Sequence, residues 1–213
     1  MTDALRHLRR GDPVMAQLIR RAGPFTLKPD RSRSPYESLL RAVAHQQLTG
    51  KAASTILGRF CGLYGGTSYP LPDQLVATPD DQLRAAGFSR AKAASLKDIA
   101  AKTLDGTIPE RRALTKLSDE AIIERLTEAR GVGRWTVEMF LMFTLGRPDV
   151  LPVDDYGIQN GYRLAYGKRR LPKPRVLATY GQRWAPYRTT ASWYLWRAVD
   201  FDRAQKQRAA NKE

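Results

Sequence analysis

The stretch Leu126-Thr-Glu-Ala-Arg-Gly131-Val-Gly133-Arg-Trp135-Thr-Val-Glu-Met-Phe140 decides how the rest of the chain is read. Two glycines flank one small apolar residue, and a helical pattern lies on each side. Upstream, Ser118 can cap a helix that carries Ile122, Ile123 and Leu126 at helical spacing. Downstream, Trp135 to Leu145 is apolar on nearly every side and is stopped by Gly146 and Pro148. The pattern predicts a helix, a tight hairpin and a buried helix. Glycines suit such a turn because they reach positive φ and carry no side chain, so backbone N–H groups can face a partner. An N–H-rich turn opening a helix fits an anion, and phosphate is the obvious one. Gly-x-Gly alone is more often a plain connection, so its neighbours matter.

The balance of charge points the same way. The chain has 213 residues, with 36 Lys+Arg against 21 Asp+Glu, a net charge of +15. Its isoelectric point is near 10.3. An excess this large on a small chain favours nucleic acid over a neutral metabolite. No apolar run approaches the ~20 residues needed to cross a bilayer, and the Met-Thr-Asp-Ala start has no apolar signal core. A single Cys61 excludes an internal disulfide and any four-cysteine zinc or iron–sulfur site. These features read as a soluble intracellular protein with no membrane partner.

Local patterns are helical throughout. A short helix is expected from Asp12-Pro13 to Gly23-Pro24, and the basic loop Lys28–Ser34 is the best internal boundary in the first third. Ser34-Pro35-Tyr36-Glu37 forms a capping box for a helix burying Leu39, Leu40 and Val43. The next helix starts near Thr49 and lines Ala52, Ile56, Phe60 and Tyr64 on one face. Thr78 and Ser89 cap two more, the second presenting Ala93, Leu96, Ile99 and Leu104. The polar tail from Arg203 is expected to fray. No sustained alternation occurs, so the fold class is all-α.

Two further stretches carry chemistry. His45-Gln46-Gln47-Leu48-Thr49 joins two helices; it reads either as a polar loop with one buried Leu or as a loop that enters a duplex. An enzyme that acts on a base extrudes it, and a side chain filling the gap lowers the unstacking cost. Asp154-Asp155 opens the helical stretch Tyr156–Tyr162. One carboxylate suffices as a cap, which leaves the other to face a cleft.

Together, the hairpin, the following Arg-Trp-Thr, the acidic pair with Tyr156 and the block Arg183-Trp184-Ala-Pro-Tyr187-Arg188 through Trp196 resemble the helix-hairpin-helix (HhH-GPD) DNA glycosylase superfamily, AlkA-type 3-methyladenine glycosylases in particular. The resemblance runs from about Pro13 to Phe201. It implies a two-lobed all-α fold without an N-terminal β domain. Residues 36–146 would form a helical barrel ending in the hairpin, and 1–35 with 147–213 a second lobe carrying the catalytic Asp, with the cleft between them. It implies a monomer that acts on double-stranded DNA containing alkylated bases, in a bacterial cytoplasm or a eukaryotic nucleus.

By the same resemblance Asp155 is catalytic, with Asp154 the fallback or helix cap; Arg188 could serve as the partner that holds Asp154 and leaves Asp155 free. Gly131, Val132, Gly133, Arg134 and Thr136 grip the DNA backbone, with Arg130 adding charge. Leu48 with Gln47 is the wedge. Trp135, Trp196, Tyr156, Met139 and Tyr36 line the base pocket, while Trp184 and Trp193 belong to the core. Bifunctional relatives carry a Lys where Trp135 stands, so the implied enzyme is monofunctional and leaves an abasic site. No cofactor is implied beyond a monovalent cation at the hairpin. The alternatives are a non-catalytic helix-hairpin-helix DNA-binding protein and a glycosylase for deaminated or oxidised bases.

Overall fold

The computed structural model describes residues 2–66 and 68–211. Among them there is no strand, and no helix is long and apolar enough to cross a membrane. The chain runs through α1 (Asp3–Gly11), α2 (Pro13–Ala22), α3 (Pro35–His45), α4 (Gly50–Gly62), α5 (Pro72–Ala77), α6 (Asp80–Ala86) and α7 (Arg90–Leu104). It continues with α8 (Arg111–Leu114), α9 (Asp119–Leu126), α10 (Arg134–Phe140), α11 (Tyr156–Ala165), α12 (Pro174–Gly181) and α13 (Arg188–Ala210). Two compact units result: a central one, Pro29–Leu145, and a terminal one made of Met1–Lys28 and Gly146–Glu213.

Local chemistry starts most of these helices. Ser34 and Glu37 close the capping box of α3 in both directions, with Pro35 in the first turn. Ser89 and Ser118 accept the N–H groups of Lys92 and Ala121 to open α7 and α9. Thr78 does not cap: its hydroxyl bonds Gln74 O and the Tyr64 hydroxyl, and Pro79 takes the N-cap position of α6.

The central core gathers Leu39, Leu40, Phe60, Leu75, Leu83, Leu96 and Ile99, all fully buried. Phe60 meets Tyr64 and Phe88 edge-on, each at 5.5 Å. The inward face of α4 is Ala53, Leu57, Phe60 and Cys61, one position round from the expected Ala52–Ile56–Phe60–Tyr64 stripe. Packing against α3 and α6 decides that rotation, which a pattern of small residues leaves open. Leu104, expected inside α7, is exposed at the last residue of that helix.

The terminal unit closes around Asp12, which is 1% exposed. One carboxylate oxygen caps α2 by accepting Val14 N and Met15 N. The other accepts from the Tyr166 hydroxyl at 2.5 Å and Trp184 Nε1 at 2.9 Å, with the Tyr180 hydroxyl at 3.3 Å. Burial and the Asp12 charge push the Tyr166 phenol far above its usual range. α11 crosses α13 at glycines: a Cβ on Gly161 would lie 2.1 Å from Leu195 O. The expected frayed tail is instead helix through Ala210; Lys212 and Glu213 lie outside the described residues.

Candidate functional site

In the central unit the hairpin is a turn between α9 and α10. Gly131 sits at φ +77, and a Cβ there would strike Ser95 Oγ at 2.4 Å, so glycine is demanded twice over. Gly133 is different. Its φ of −92 suits any residue, and no protein atom lies within 4 Å of a Cβ placed on it. Nothing inside the protein requires this exposed glycine.

The helix α7 underpins the turn. Asp98 accepts the Arg130 N–H at 2.7 Å, and Ser95 lies beneath Gly131. One turn earlier, Lys92 Nζ donates to Ala44 O at 3.0 Å and Gln46 O at 2.6 Å, closing the end of α3. Burial lowers the Lys92 pKa, so this is not the solvated lysine that a helix surface would suggest. Gln46 completes the link by donating Nε2 to Gly131 O at 3.0 Å. The loop after α3 and the hairpin are therefore one hydrogen-bonded assembly. Gln46, Lys92, Ser95 and Asp98 were missed in the sequence; the polar spacing of 92, 95 and 98 on one helical face was the available signal.

At the loop tip, Gln47 has φ 58, the one positive φ at a non-glycine among the described residues. Holding a side chain there costs of order 1–2 kcal/mol. Leu48 beside it is 39% exposed, so the buried-Leu reading of this loop is not what forms.

Of the expected hairpin contacts, Val132 and Thr136 are turned inward, while Arg134 stays exposed but is ion-paired. Arg134 is paired with Glu120 at 3.1 Å and with Glu138 at 3.3 Å, tying α9 to α10. Thr136 is 4% exposed and faces Gln46, so its side chain cannot meet a backbone outside. Val132 is buried too, which leaves Arg130, Gly131, Gly133 and the ion-paired Arg134 on the surface. Gly131 O and Ala129 O already accept protein donors, and a monovalent cation here would have to share them. Among the described residues no group of three His, Cys, Asp or Glu could hold a metal ion.

Trp135 is exposed on the first turn of α10. Met139 lies one turn on, in a cavity of about 250 Å³ with His45, Arg41 and Phe143. Tyr36 is not brought there. It is buried, borders a different cavity of about 760 Å³ with Tyr69 and Ile108, and its hydroxyl has no hydrogen-bond partner. The expected grouping of Tyr36 with Met139 does not form: Ser38, Arg41 and Ala42 are the α3 residues that line the cavity with Met139, while Tyr36 borders the other one.

In the terminal unit the acidic pair is divided differently from expectation. Asp155 is itself the cap of α11, accepting Ile158 N on Oδ1 at 2.8 Å. The same oxygen accepts Trp196 Nε1 at 3.0 Å from α13. Asp154 is exposed and caps nothing. Arg188 holds Asp149, not Asp154, through Oδ1 at 2.8 Å and Oδ2 at 2.9 Å. Burial opposes the Asp149 charge, but the bonds from Arg188 outweigh it and keep that carboxyl below its usual range.

Gly157 makes the Asp155–Trp196 contact possible, since a Cβ there would lie 2.9 Å from Trp196 Cδ1 and 3.0 Å from Asp155 Oδ1. Its signal in the sequence was the four-residue spacing to Gly161. Tyr156, next to Asp155, is 67% exposed, whereas Trp184 and Trp193 are buried. A carboxylate whose Oδ1 takes two donors at the positive end of a helix dipole is oriented beside an aromatic wall.

Known proteins resemble this chain over most of its length. A family described as HhH-GPD superfamily base excision DNA repair protein matches residues 40–186. The DNA-3-methyladenine glycosylase 1 of Schizosaccharomyces pombe is 42% identical over 92% of this chain and 87% of its own. The solved S. pombe 3-methyladenine DNA glycosylase in complex with abasic DNA superposes with a TM-score of 0.81, covering 92% of this chain and 95% of that one. A DNA-3-methyladenine glycosidase from Bacillus halodurans, 36% identical, gives a TM-score of 0.84 over 92% and 89% of the two chains.

Proposed function

The chain belongs to the HhH-GPD superfamily of base excision DNA repair proteins, and on that premise we propose that Asp155 drives hydrolysis of the bond between deoxyribose and an alkylated base. The protein is a base excision repair glycosylase for alkylated bases. The observation that carries the catalytic assignment is the pair of donors on Asp155 Oδ1, Ile158 N and Trp196 Nε1. They fix the direction of the carboxylate. The transition state has oxocarbenium character, so a fixed anion near the sugar stabilises it and can orient the attacking water. An alkylated purine leaves as a neutral base, so no general acid is needed.

Gly133 supports the hairpin's role at the DNA backbone, because an exposed glycine without an internal reason gives a phosphate close access to backbone N–H groups. The strained Gln47 with exposed Leu48 supports a wedge at that loop tip. Trp135, Met139, Tyr156 and Trp196 are the base-recognition candidates, the tryptophans by stacking and cation–π attraction to a cationic base. The protein acts as a monomer on duplex DNA.

The reaction stops at the abasic site. Strand cleavage needs an amine to attack C1′, and Trp135 offers none. Lys92, whose pKa is lowered, has its amine committed to two carbonyls, and Lys97 is bonded to Asp80 at 2.6 Å. Incubation with methylated duplex, then alkali, tests the whole reading: released 3-methyladenine or 7-methylguanine with DNA intact before alkali is expected. A borohydride-trapped adduct would overturn the monofunctional assignment. Release of only hypoxanthine, uracil or oxidised bases would replace the substrate class, and no release at all would leave a DNA-binding protein.

A further inference from the structure

The basic excess is not spread evenly. The terminal unit holds 20 Lys+Arg against 8 Asp+Glu, a net +12, while the central unit holds 16 against 13, a net +3. Between Asp155 and Asp200 there is no acidic residue at all. Within that span, Lys168, Arg169, Arg170, Lys173 and Arg175 fall in eight consecutive residues, and all five are exposed. Among the described residues none of their side chains makes a hydrogen bond or ion pair, whereas Arg134, Arg188, Lys97 and Lys206 are all paired with carboxylates.

The loop carrying them is braced. Gly167 turns at φ 60, Lys168 N donates to Arg163 O at 2.8 Å, and Pro172 and Pro174 flank Lys173. Pro174 then opens α12 with no side-chain cap on its N–H groups. Beyond it, Arg175 and Arg183 flank a cavity of about 410 Å³, with the Arg183 guanidinium laid over Tyr180 at 3.8 Å. Like charges crowded on a stiffened loop repel, and among the described residues no carboxylate is paired with them. The arrangement fits a partner that brings a row of negative charges.

We propose that residues 168–175 form a second phosphate-binding surface for duplex DNA, separate from the candidate catalytic carboxylate. α11 sets the separation: its ten residues span ~15 Å from the Asp155 cap to the start of the loop. The surface adds sequence-independent affinity along the duplex and leaves the chemistry alone. This rests on the reading of the protein as a DNA glycosylase, with DNA chosen over an acidic protein because that substrate already supplies the phosphates.

The test compares the wild type with the triple variants Lys168→Gln, Arg169→Gln, Arg170→Gln and Lys168→Glu, Arg169→Glu, Arg170→Glu. Binding of an undamaged duplex is measured by anisotropy between about 50 and 200 mM salt. Each lost phosphate contact lowers the log–log salt slope by ~0.9, so the Gln variant should lose up to ~3 from the slope and about tenfold in affinity. The Glu variant should lose more, and both should release methylated bases at the wild-type rate when DNA is saturating. An unchanged slope and affinity would make the loop a solvated face and overturn the proposal. So would a duplex response like wild type with loss of binding confined to polyglutamate. If the wild type releases no base yet the variants lose slope, the surface stands and the glycosylase reading falls.

Discussion

At Asp155 one oxygen does two jobs, capping α11 and receiving the Trp196 indole. Replacing it with Asn preserves the shape but removes the charge, and loss of comparable electrostatic stabilisation costs ~2.7–4 kcal/mol of the barrier. Asp155→Asn should therefore reduce single-turnover excision by at least ~10²-fold while DNA affinity holds. Asp154→Asn should excise normally, since that exposed side chain caps no helix and makes no ion pair among the described residues. The reverse outcome would exchange their roles. Trp196→Phe separates positioning from stacking: the ring remains, the Nε1 donor is gone, and kcat should drop with little change in KM.

Helix pairs carry the next set of consequences. Gly161→Ala drives a methyl into Leu195 O, a backbone atom that cannot step aside. Overpacking of this kind costs ~1–3 kcal/mol, so melting should fall by several degrees. Because α11 would lift from α13, excision should fall with it. Gly133→Asp should do the opposite to stability, since Asp is a favoured N-cap and no atom crowds the position. Its charge should still weaken damaged and undamaged duplex alike, by at least ~tenfold or ~1.4 kcal/mol. A loss confined to damaged DNA would move the hairpin to the base pocket.

What the sequence made legible at this scale was local. The capping box at Ser34, the caps at Ser89 and Ser118, and the Gly131–Gly133 turn each depend on residues a few positions apart. What it hid were features completed by distant partners: Gln46 on Gly131, Lys92 on Ala44 and Gln46, and Arg188 on Asp149 rather than Asp154. The inward face of α4 slipped by one position because Ala52 and Ala53 fit either side equally.

For the molecule as a whole, pH should act through groups buried in one protonation state. Burial, then the cations of Arg41 and Lys92, lower the His45 pKa. The unfolded chain then binds more protons below about 6.5, the ordinary His value, so stability falls as pH drops through that point toward the lower folded pKa. Asp149 adds a loss at lower pH, since its depressed carboxyl stabilises the fold only while ionised. Urea midpoints should decline between about pH 7 and 5, and His45→Gln should flatten that decline while leaving the steeper acid limb in place.

Asp12 has a further consequence, one of timing. Its partners Tyr166, Tyr180 and Trp184 come more than 150 residues later in the chain. On a ribosome, α1 and α2 emerge first and wait, with Met15 and Ile19 unshielded, while all of Pro29–Leu145 is made. The central unit has its own complete core and can condense during that interval. Synthesis halted before Trp184 would strand an unclosed end, and a quality-control protease would find it there.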